Sequence, residues 1–339
     1  MVTKEILQNP EYNFIKENEH LGKHVILLGL AGSYSYGTNN ENSDIDIRGV
    51  TLNHKSDLIG MTSFEQYVDD ITDTCIYGFN KIINLLLNCN PNTIELLGMN
   101  PENYLYLNEI GQQLLDNRKM FLSQRAAQSF GGYASAQLRR LQNALARDSF
   151  SLEEKEQHIF KSVKNAMYDF KYRYDKFDEG SLKIYIDKSN HLDFETEIFM
   201  DADLMHYPLR DYKSMWAEMN NIVREYDKIG KRNKKKDDNH LNKHAMHLIR
   251  LFLMAIDILE KEEINTYREK EQKLLIDIRN GAFQKEDGTF RNEFYEMLAD
   301  YEDKLDYAAK NTSLPEEPNY GKVQEFVMSV NEKVVRDEI

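Results

Sequence analysis

The stretch Gly32-Ser33-Tyr34-Ser35-Tyr36-Gly37, followed by Ser43-Asp44-Ile45-Asp46-Ile47-Arg48-Gly49-Val50, decides the fold. The apolar run Val25–Leu30 leads into the first glycine, and its length and glycine boundary predict a buried strand. A glycine followed by a serine predicts a turn whose backbone N–H groups can approach an anion closely. The stretch therefore predicts a strand that ends in a phosphate-binding turn.

Two aspartates in the second part of this stretch predict a metal site. The run Ile45–Val50 is predicted to be a strand, and strand side chains alternate between faces. Asp44 and Asp46 are therefore predicted to project from one face. Neighbouring carboxylates repel each other unless a cation lies between them. The pattern favours a divalent metal ion.

Together these residues resemble the signature of DNA polymerase beta-like nucleotidyltransferases, and more closely the branch that includes RNA-ligase-associated polymerases. The resemblance rests on the Gly-Ser turn, on Gly37 and on the Ser-Asp-x-Asp-x-Arg run that begins at Ser43. It implies an α+β fold: a polymerase-beta-like core (a small mixed sheet with helices) and a mostly helical C-terminal domain. It also implies metal-dependent transfer of NMP from an NTP such as ATP to an acceptor hydroxyl, with two Mg²⁺ ions or with Mn²⁺.

A third carboxylate is expected, because a pair of metal ions roughly 4 Å apart needs about three acidic ligands. Asp73, ahead of the helix predicted over Phe79–Leu87, is the predicted third ligand. The resembled family has an acid at this position, followed by elements that here are Tyr77, Lys81 and Asn90-Pro91. Asp69 shares the predicted strand parity of Asp73 and remains the alternative.

The nucleotide is predicted to contact the glycine turn. Gly32 and Ser33 are expected to seat the triphosphate, although Ser33 is also a suitable turn cap. Arg48 shares the predicted strand face of Asp46, so two roles stay open for it. It either contacts a phosphate or pairs with the aspartates.

A second candidate cluster lies in the run from residue 243 to residue 251. Lys243, His247 and Arg250 stand at i, i+4 and i+7, which places three potential cations on one helical face. The resembled branch has a similar element, which implies a nucleotide-binding role. Two alternatives stay open: a solvated basic face, and a zinc site formed by His240, His244 and His247.

Composition limits the function classes. The 339 residues include 43 Lys and Arg against 57 Asp and Glu, a formal net charge of −14 that argues against a broad nonspecific nucleic-acid surface. Cys75 and Cys89 are the only cysteines, so a reducing compartment is expected. The apolar runs are too short to span a bilayer and the N-terminus lacks signal-peptide features. We expect a cytoplasmic protein without membrane contact.

Three regions are predicted: a nucleotidyltransferase core over 1–110, a mainly helical domain over 111–310 and a linker with a final helix over 311–339. A hairpin is predicted near 181–200. Helices are predicted over Phe121–Ala146, Glu153–Phe177, Tyr212–Lys228 and Leu241–Leu259. Structural ion pairs are the favoured roles of Arg140 and Arg279. A place in the cleft is the alternative for Arg140, and Arg279 lies in a run, 274–281, that resembles another element of the family.

The acceptor is the least determined partner. The resemblance implies an RNA 3′ end, such as that of a broken tRNA, and Arg139–Arg140 and Lys228–Lys236 are candidates for a local basic groove. A protein hydroxyl is the alternative, as in AMPylation-type toxin–antitoxin nucleotidyltransferases, and the acidic net charge favours it. A catalytically silent nucleotide-binding module is the third possibility. The oligomeric state and the preferred NTP are not predicted.

Overall fold

The computed structural model describes residues 4–41, 43–149, 182–188, 196–213, 216–217, 220, 238–286 and 288–339. The chain forms two compact units. The first contains Met1–Arg140, Asn242–Gln284 and Phe290–Ile339, and the second contains Leu141–Leu241 and Lys285–Thr289. The candidate site residues whose side chains the structure describes lie in the first unit. The domain boundaries near residues 110 and 310 remain a prediction.

A five-stranded mixed sheet belongs to the first unit, with strand order β3-β4-β2-β1-β5. Strand β1 pairs antiparallel with β2 and β5, β2 pairs parallel with β4, and β3 pairs antiparallel with β4. The strands are β1 Val25–Leu30, β2 Ile47–Thr51, β3 Gln66–Asp69, β4 Thr74–Gly78 and β5 Tyr104–Leu107.

The strand predicted over Val25–Leu30 is confirmed at both ends, and all six of its residues are buried. This burial follows from its position inside the sheet, where a strand covered on both faces reads as a continuous apolar run. One hydrophobic cluster packs from the segment before β1 onto the sheet. Its buried members are Tyr12, Ile15, Leu21, Val25, Leu28, Leu30, Ile47, Ile76 and Leu105.

Helices make up most of the described chain after the sheet. The α-helices are α1 Phe14–Glu17, α2 Gly32–Ser35, α3 Lys55–Ile59, α4 Phe79–Leu87, α5 Pro91–Ile94, α6 Glu109–Asp116, α7 Arg125–Ser149, α8 Asp238–Lys261, α9 Gln272–Arg279, α10 Asn292–Asn311 and α11 Tyr320–Val335. The 3-10 helices are Lys4–Gln8, Pro10–Tyr12, Gly22–His24, Glu95–Leu97, Pro101–Asn103 and Arg118–Phe121. This mixed sheet with a mostly helical C-terminal region confirms the predicted α+β class.

Two details of the predicted strands are wrong. Strand β2 begins at Ile47, so Asp44 and Asp46 precede it in irregular chain and strand alternation does not set their directions. Asp69 ends β3, whereas Asp73 lies in the following turn with a φ of 45°. The parity predicted between these two acids is lost because a turn, rather than continuous strand, separates them.

The second unit contains an antiparallel pair, β6 Leu182–Lys188 and β7 Thr196–Ala202, where the sequence predicts a hairpin. Its connecting residues 189–195 lie outside the described residues. So do the predicted helix Glu153–Phe177, the candidate basic segment Lys228–Lys236 and the side chains of Arg139 and Arg140. Within the described part of the chain, no helix has the length and apolar character needed to cross a membrane.

Candidate active site

Asp46 and Asp73 come together because β2 and β4 are parallel neighbours. Ile47 pairs with Thr74, so the residues that precede the two strands lie side by side. The backbone N–H of Ile47 donates to the carbonyl oxygen of Asp73 at 3.2 Å. The carboxyl groups of Asp46 and Asp73 are hydrogen-bonded to each other. Two acids predicted from the sequence therefore meet at one edge of the sheet.

The two acids differ in pKa. Burial, together with the hydrogen bond to Asp73, raises the pKa of Asp46 to about 6. The same hydrogen bond, helped by the Arg48 guanidinium, holds the pKa of Asp73 below its usual value. A hydrogen bond between two carboxyl groups requires a proton on one of them, and Asp46 is the better place for it.

Arg48 lies between the two acids. Its Nη2 is 3.2 Å from Oδ1 of Asp46 and 3.1 Å from Oδ1 of Asp73, and its Nη1 donates to the carbonyl oxygen of Asp73 at 2.6 Å. Of the two roles left open for this arginine, the ion pair with the acids is the one that the structure contains. Its contact with a phosphate remains a prediction.

Gly32 lies directly against the carboxylate of Asp46. The predicted turn is a single helical turn, α2, and Gly32 begins it with a φ of 56°. A Cβ atom at this position would lie 2.1 Å from Oδ2 of Asp46, so only glycine fits. The backbone N–H of Ala31 also donates to the carbonyl oxygen of Asp46 at 2.9 Å. The start of the predicted phosphate-binding turn thus adjoins the acid pair, with the partly buried Ser33 next along the chain.

The two other candidate acids are placed differently. Asp44 is exposed, and within the described chain its carboxylate forms no hydrogen bond or ion pair. Oδ2 of Asp69 accepts hydrogen bonds from the backbone N–H and the hydroxyl of Thr72, at 2.9 and 2.7 Å. Asp69 therefore stabilises the turn that carries Asp73, and Asp73 is the acid that joins Asp46.

Lys243 and His247 belong to helix α8. Lys243 is exposed. Its positive charge partly offsets the rise in the pKa of Asp46 and contributes to the lowered pKa of Asp73. Burial, followed by the charges of Arg250 and Lys243, holds the pKa of His247 well below its usual value. His247 is therefore a neutral imidazole among cations at neutral pH.

Arg250, the third predicted member of this face, is buried beneath the glycine turn. Its Nη2 lies 3.3 Å from Oε1 of the buried Glu95, and its guanidinium carbon lies 3.8 Å from the centre of the Tyr36 ring. Tyr36 is fully buried, so its ring packs inside the core and is not available to stack on a base. Arg250 connects α8 to the core, and its contact with a nucleotide stays a prediction.

The geometry described so far agrees with a comparison of the sequence with known families. Residues 7–171 match a model of RlaP, the RNA repair pathway DNA polymerase beta family. The predicted resemblance to polymerase beta-like nucleotidyltransferases is thereby confirmed. The match covers just under half of the 339 residues, includes Gly32, Asp46 and Asp73, and ends before α8. Searches among curated proteins and among solved structures found no match.

Arg279 bonds to the segment between the glycine turn and the acids rather than forming the predicted ion pair. It lies outside the polymerase beta-like match, and its predicted role was a structural ion pair. Its Nη1 instead donates to the carbonyl oxygen of Thr38, and its Nη2 lies 3.2 Å from the hydroxyl of Ser43. Nε2 of Gln272 donates to the carbonyl oxygen of Gly37 at 2.9 Å. Helix α9 therefore contacts the segment between the glycine turn and the acids, which lies within the matched residues 7–171.

The zinc alternative on α8 stays a prediction, because the side chain of one of its three histidines is not described. His244 and His247 lie on the helix, whereas the side chain of His240 lies outside the described residues. The described residues bring together a different histidine-containing cluster, which lies within the matched residues 7–171. Its members are His20, His54 and Asp57. No sequence motif indicated it, because His20 is remote in sequence from His54 and Asp57.

Proposed function

We propose that the protein is a metal-dependent nucleotidyltransferase that transfers NMP from an NTP to the 3′-hydroxyl of an RNA. The observation that carries this proposal is the hydrogen-bonded pair of Asp46 and Asp73 packed against Gly32. The match of residues 7–171 to an RNA repair family supports both the reaction class and an RNA partner.

Asp46 and Asp73, with Asp44 as the third ligand, would hold Mg²⁺ as two ions, or Mn²⁺ in its place. Carboxylate oxygens are the ligands that Mg²⁺ prefers, and the hydrogen bond between Asp46 and Asp73 supports their use as neighbouring ligands. When bound, such ions neutralise negative charge on the attacking hydroxyl and on the departing pyrophosphate. Arg48 keeps the two carboxylates together before a cation binds.

The nucleotide would lie between the glycine turn and the N-terminal half of α8. The backbone of Gly32 and the hydroxyl of Ser33 would bind the triphosphate, since Gly32 lies against Asp46 and Ser33 is the next residue in the chain. Lys243, whose field reaches both carboxylates, would pair with a phosphate once the acids are neutralised. His247 would donate or accept a hydrogen bond as a neutral imidazole, and Arg250 would add long-range positive charge from beneath.

The transfer itself forms one bond and breaks one. The oxygen of the acceptor hydroxyl bonds to the α-phosphorus and loses its proton. The bond from this phosphorus to the α–β bridging oxygen breaks, and pyrophosphate leaves with the electron pair. Holding both groups in line and stabilising the developing charge account for most of the acceleration expected from such a site.

A labelling experiment tests the proposal. The full-length protein is incubated with each α-³²P-labelled NTP, Mg²⁺ or Mn²⁺, and a mixture of intact and cleaved tRNA. A parallel reaction replaces the tRNA with RNA whose 3′ end has been oxidised by periodate. We expect label on RNA with a free 3′-hydroxyl and none on oxidised RNA.

Two variants determine whether the label depends on the proposed site. The Asp46→Asn/Asp73→Asn variant is expected to lose transfer, whereas Asp70→Asn, which changes an exposed acid next in sequence to β3, is expected to retain it. A cell extract supplied instead of RNA tests the protein acceptor. Aspartate-dependent label on a protein alone would replace RNA as the acceptor, and nucleotide binding without transfer to either acceptor would contradict the proposed activity.

A further inference from the structure

Three side chains gather at the end of strand β2 that is remote from the acid pair. Thr51, the last residue of β2, pairs with Val25, the first residue of β1. His20 precedes β1, while His54 and Asp57 follow β2 at the start of α3. Because a strand advances about 3.3 Å per residue, the five residues of β2 separate its two ends by roughly 13 Å. The cluster is therefore distinct from the candidate active site.

The backbone and the carboxylate of this cluster are held in place. The hydroxyl of Thr51 donates to the carbonyl oxygen of His20 at 2.6 Å. Oδ2 of Asp57 accepts from the backbone N–H of His54 at 3.0 Å, and Oδ1 accepts from the hydroxyl of Thr62 at 2.7 Å. The side chain of Asp57 is only 2 % exposed, so its negative charge is withdrawn from water with two neutral donors for compensation. A buried charge in this situation favours a nearby cation.

Two imidazole nitrogens in the cluster are buried without a hydrogen-bond partner in the described part of the chain: Nδ1 of His20 and Nε2 of His54. Buried polar atoms are nearly always paired in folded proteins, so two such atoms in one cluster require an explanation. Nδ1 of His20 lies 3.7 Å from Oδ2 of Asp57, too far for a hydrogen bond. One ligand atom from each of the three residues lies within 4.8 Å of the other two.

Ring packing is the simpler explanation of the cluster, and it is incomplete. The His20 ring stacks on the His54 ring, with centroids 4.6 Å apart, and on the Phe64 ring, with centroids 4.2 Å apart. Stacking accounts for the contact between the ring faces. The Asp57 carboxylate also closes a capping box at the start of α3 by accepting from the backbone N–H of His54. Neither the stacking nor the capping box accounts for the two buried nitrogens without a hydrogen-bond partner.

We propose that His20, His54 and Asp57 bind a divalent transition-metal ion of the zinc type. Imidazole nitrogen and carboxylate oxygen are ligands of Zn²⁺, whereas Mg²⁺ prefers oxygen ligands only. Three protein ligands leave a position for water. The ion links the segment before β1 to the helix after β2, so it stabilises the folded state and takes no part in nucleotidyl transfer.

A zinc titration tests this site on the full-length protein after removal of metals with a chelator. Zn²⁺ is titrated in competition with a chromophoric chelator, with Mg²⁺ in large excess to occupy the carboxylate site. We expect one equivalent of tightly bound Zn²⁺. His20→Gln and His54→Gln should each weaken binding at least about tenfold, since even neighbours of a metal ligand contribute that much. His206→Gln, at an exposed histidine in the other unit, is the matched control and should bind as the wild type does.

Two further measurements keep the proposal testable if a ligand variant fails to fold. Co²⁺ added to the wild-type protein in excess Mg²⁺ should produce the visible absorption bands of nitrogen-coordinated cobalt. Zn²⁺ should raise the thermal midpoint of the wild type and of Asp46→Asn/Asp73→Asn alike. Zinc binding that survives in both histidine variants, or that is lost only in the aspartate variant, would overturn the proposal. The aspartate variant retains His20, His54 and Asp57. Failure of the zinc proposal can therefore be distinguished from failure of the proposed transferase activity.

Discussion

Asp46 and Asp73 each stand one residue before a strand, and their two strands are parallel neighbours in the sheet. The pairing register brings the carboxyl groups within hydrogen-bond distance of each other, with the Arg48 guanidinium bonded to both. The positions of the two acids are therefore set by backbone pairing rather than by flexible side chains. Such preorganisation is what a metal-dependent transfer reaction requires.

The pKa of Asp46 gives a prediction about stability and pH. A carboxyl group whose folded-state pKa is raised from 3.8 to about 6 stabilises the protein below pH 3.8, and this contribution is lost as the pH rises through 6. The lowered pKa of Asp73 has the opposite effect on stability: its stabilising contribution is lost as the pH falls below about 4. We expect the unfolding free energy of the wild type, minus that of Asp46→Asn, to fall between pH 4 and pH 6 in metal-free buffer. Denaturant titrations measure the difference. A constant difference would show that Asp46 titrates normally.

Asp44 gives a prediction that separates function from stability. Its carboxylate is exposed and has no partner among the described residues, so Asp44→Asn should change the unfolding free energy by less than about 0.5 kcal/mol. As a metal ligand, it should nevertheless matter for transfer. We expect at least a tenfold lower rate at limiting Mg²⁺ and a higher Mg²⁺ concentration for half-maximal rate. Asp70→Asn is the exposed control, and equal kinetics in the two variants would remove Asp44 from the ligand set.

The buried pair of Arg250 and Glu95 gives a prediction about the core. Glu95→Gln leaves the buried guanidinium without a counter-ion, and loss of one partner of a buried pair costs about 3–5 kcal/mol. The double variant Glu95→Gln/Arg250→Met removes both charges, so we expect it to be less destabilised than the sum of the single variants. Denaturant unfolding of the four proteins measures the coupling. Additive losses would mean that the two side chains act independently.

Arg279 gives a prediction about the segment that leads to the acids. Arg279→Met removes the bonds to the Thr38 carbonyl and the Ser43 hydroxyl, so the anchored segment should open more readily. We expect faster amide hydrogen exchange in peptides that contain Thr38 and a transfer rate reduced about tenfold or more, comparable to a displaced catalytic group. The exposed Arg291, changed to Met, is the control. Unchanged exchange in Arg279→Met would show that other contacts hold this segment.

His247 gives a second prediction about pH. Because the folded-state pKa of His247 is lowered, the unfolded chain binds a proton on this residue at a higher pH than the folded protein does. Stability from this residue is present above about pH 6.5, the ordinary histidine pKa, and is lost as the pH falls below it. We expect His247→Gln to lose less stability than the wild type between pH 7 and pH 5. His206→Gln should follow the wild type, and parallel curves for all three proteins would contradict the prediction.

Local sequence patterns determined several parts of this protein. The apolar run Val25–Leu30 and the helix Phe79–Leu87 were predicted at the observed bounds, because glycine boundaries and helical periodicity are properties of neighbouring residues. Asp46 was predicted as a ligand from the Asp-x-Asp run and Asp73 from the family resemblance, and both lie within the matched residues 7–171. Their role as ligands stays a prediction. Strand β5 was missed, because its four residues carry too short a pattern to identify.

Only the tertiary structure decided which of these residues meet. The parallel register of β2 and β4, rather than strand parity, selects Asp73 over Asp69 as the neighbour of Asp46. Contacts over long sequence separations, such as Arg250 with Glu95 and Arg279 with Thr38, leave no periodic signal in either segment. His20, His54 and Asp57 likewise come together only because β1 and β2 pair antiparallel. Helices, strands and turns can be predicted from neighbouring residues, whereas strand register and long-range contacts depend on how the whole core packs.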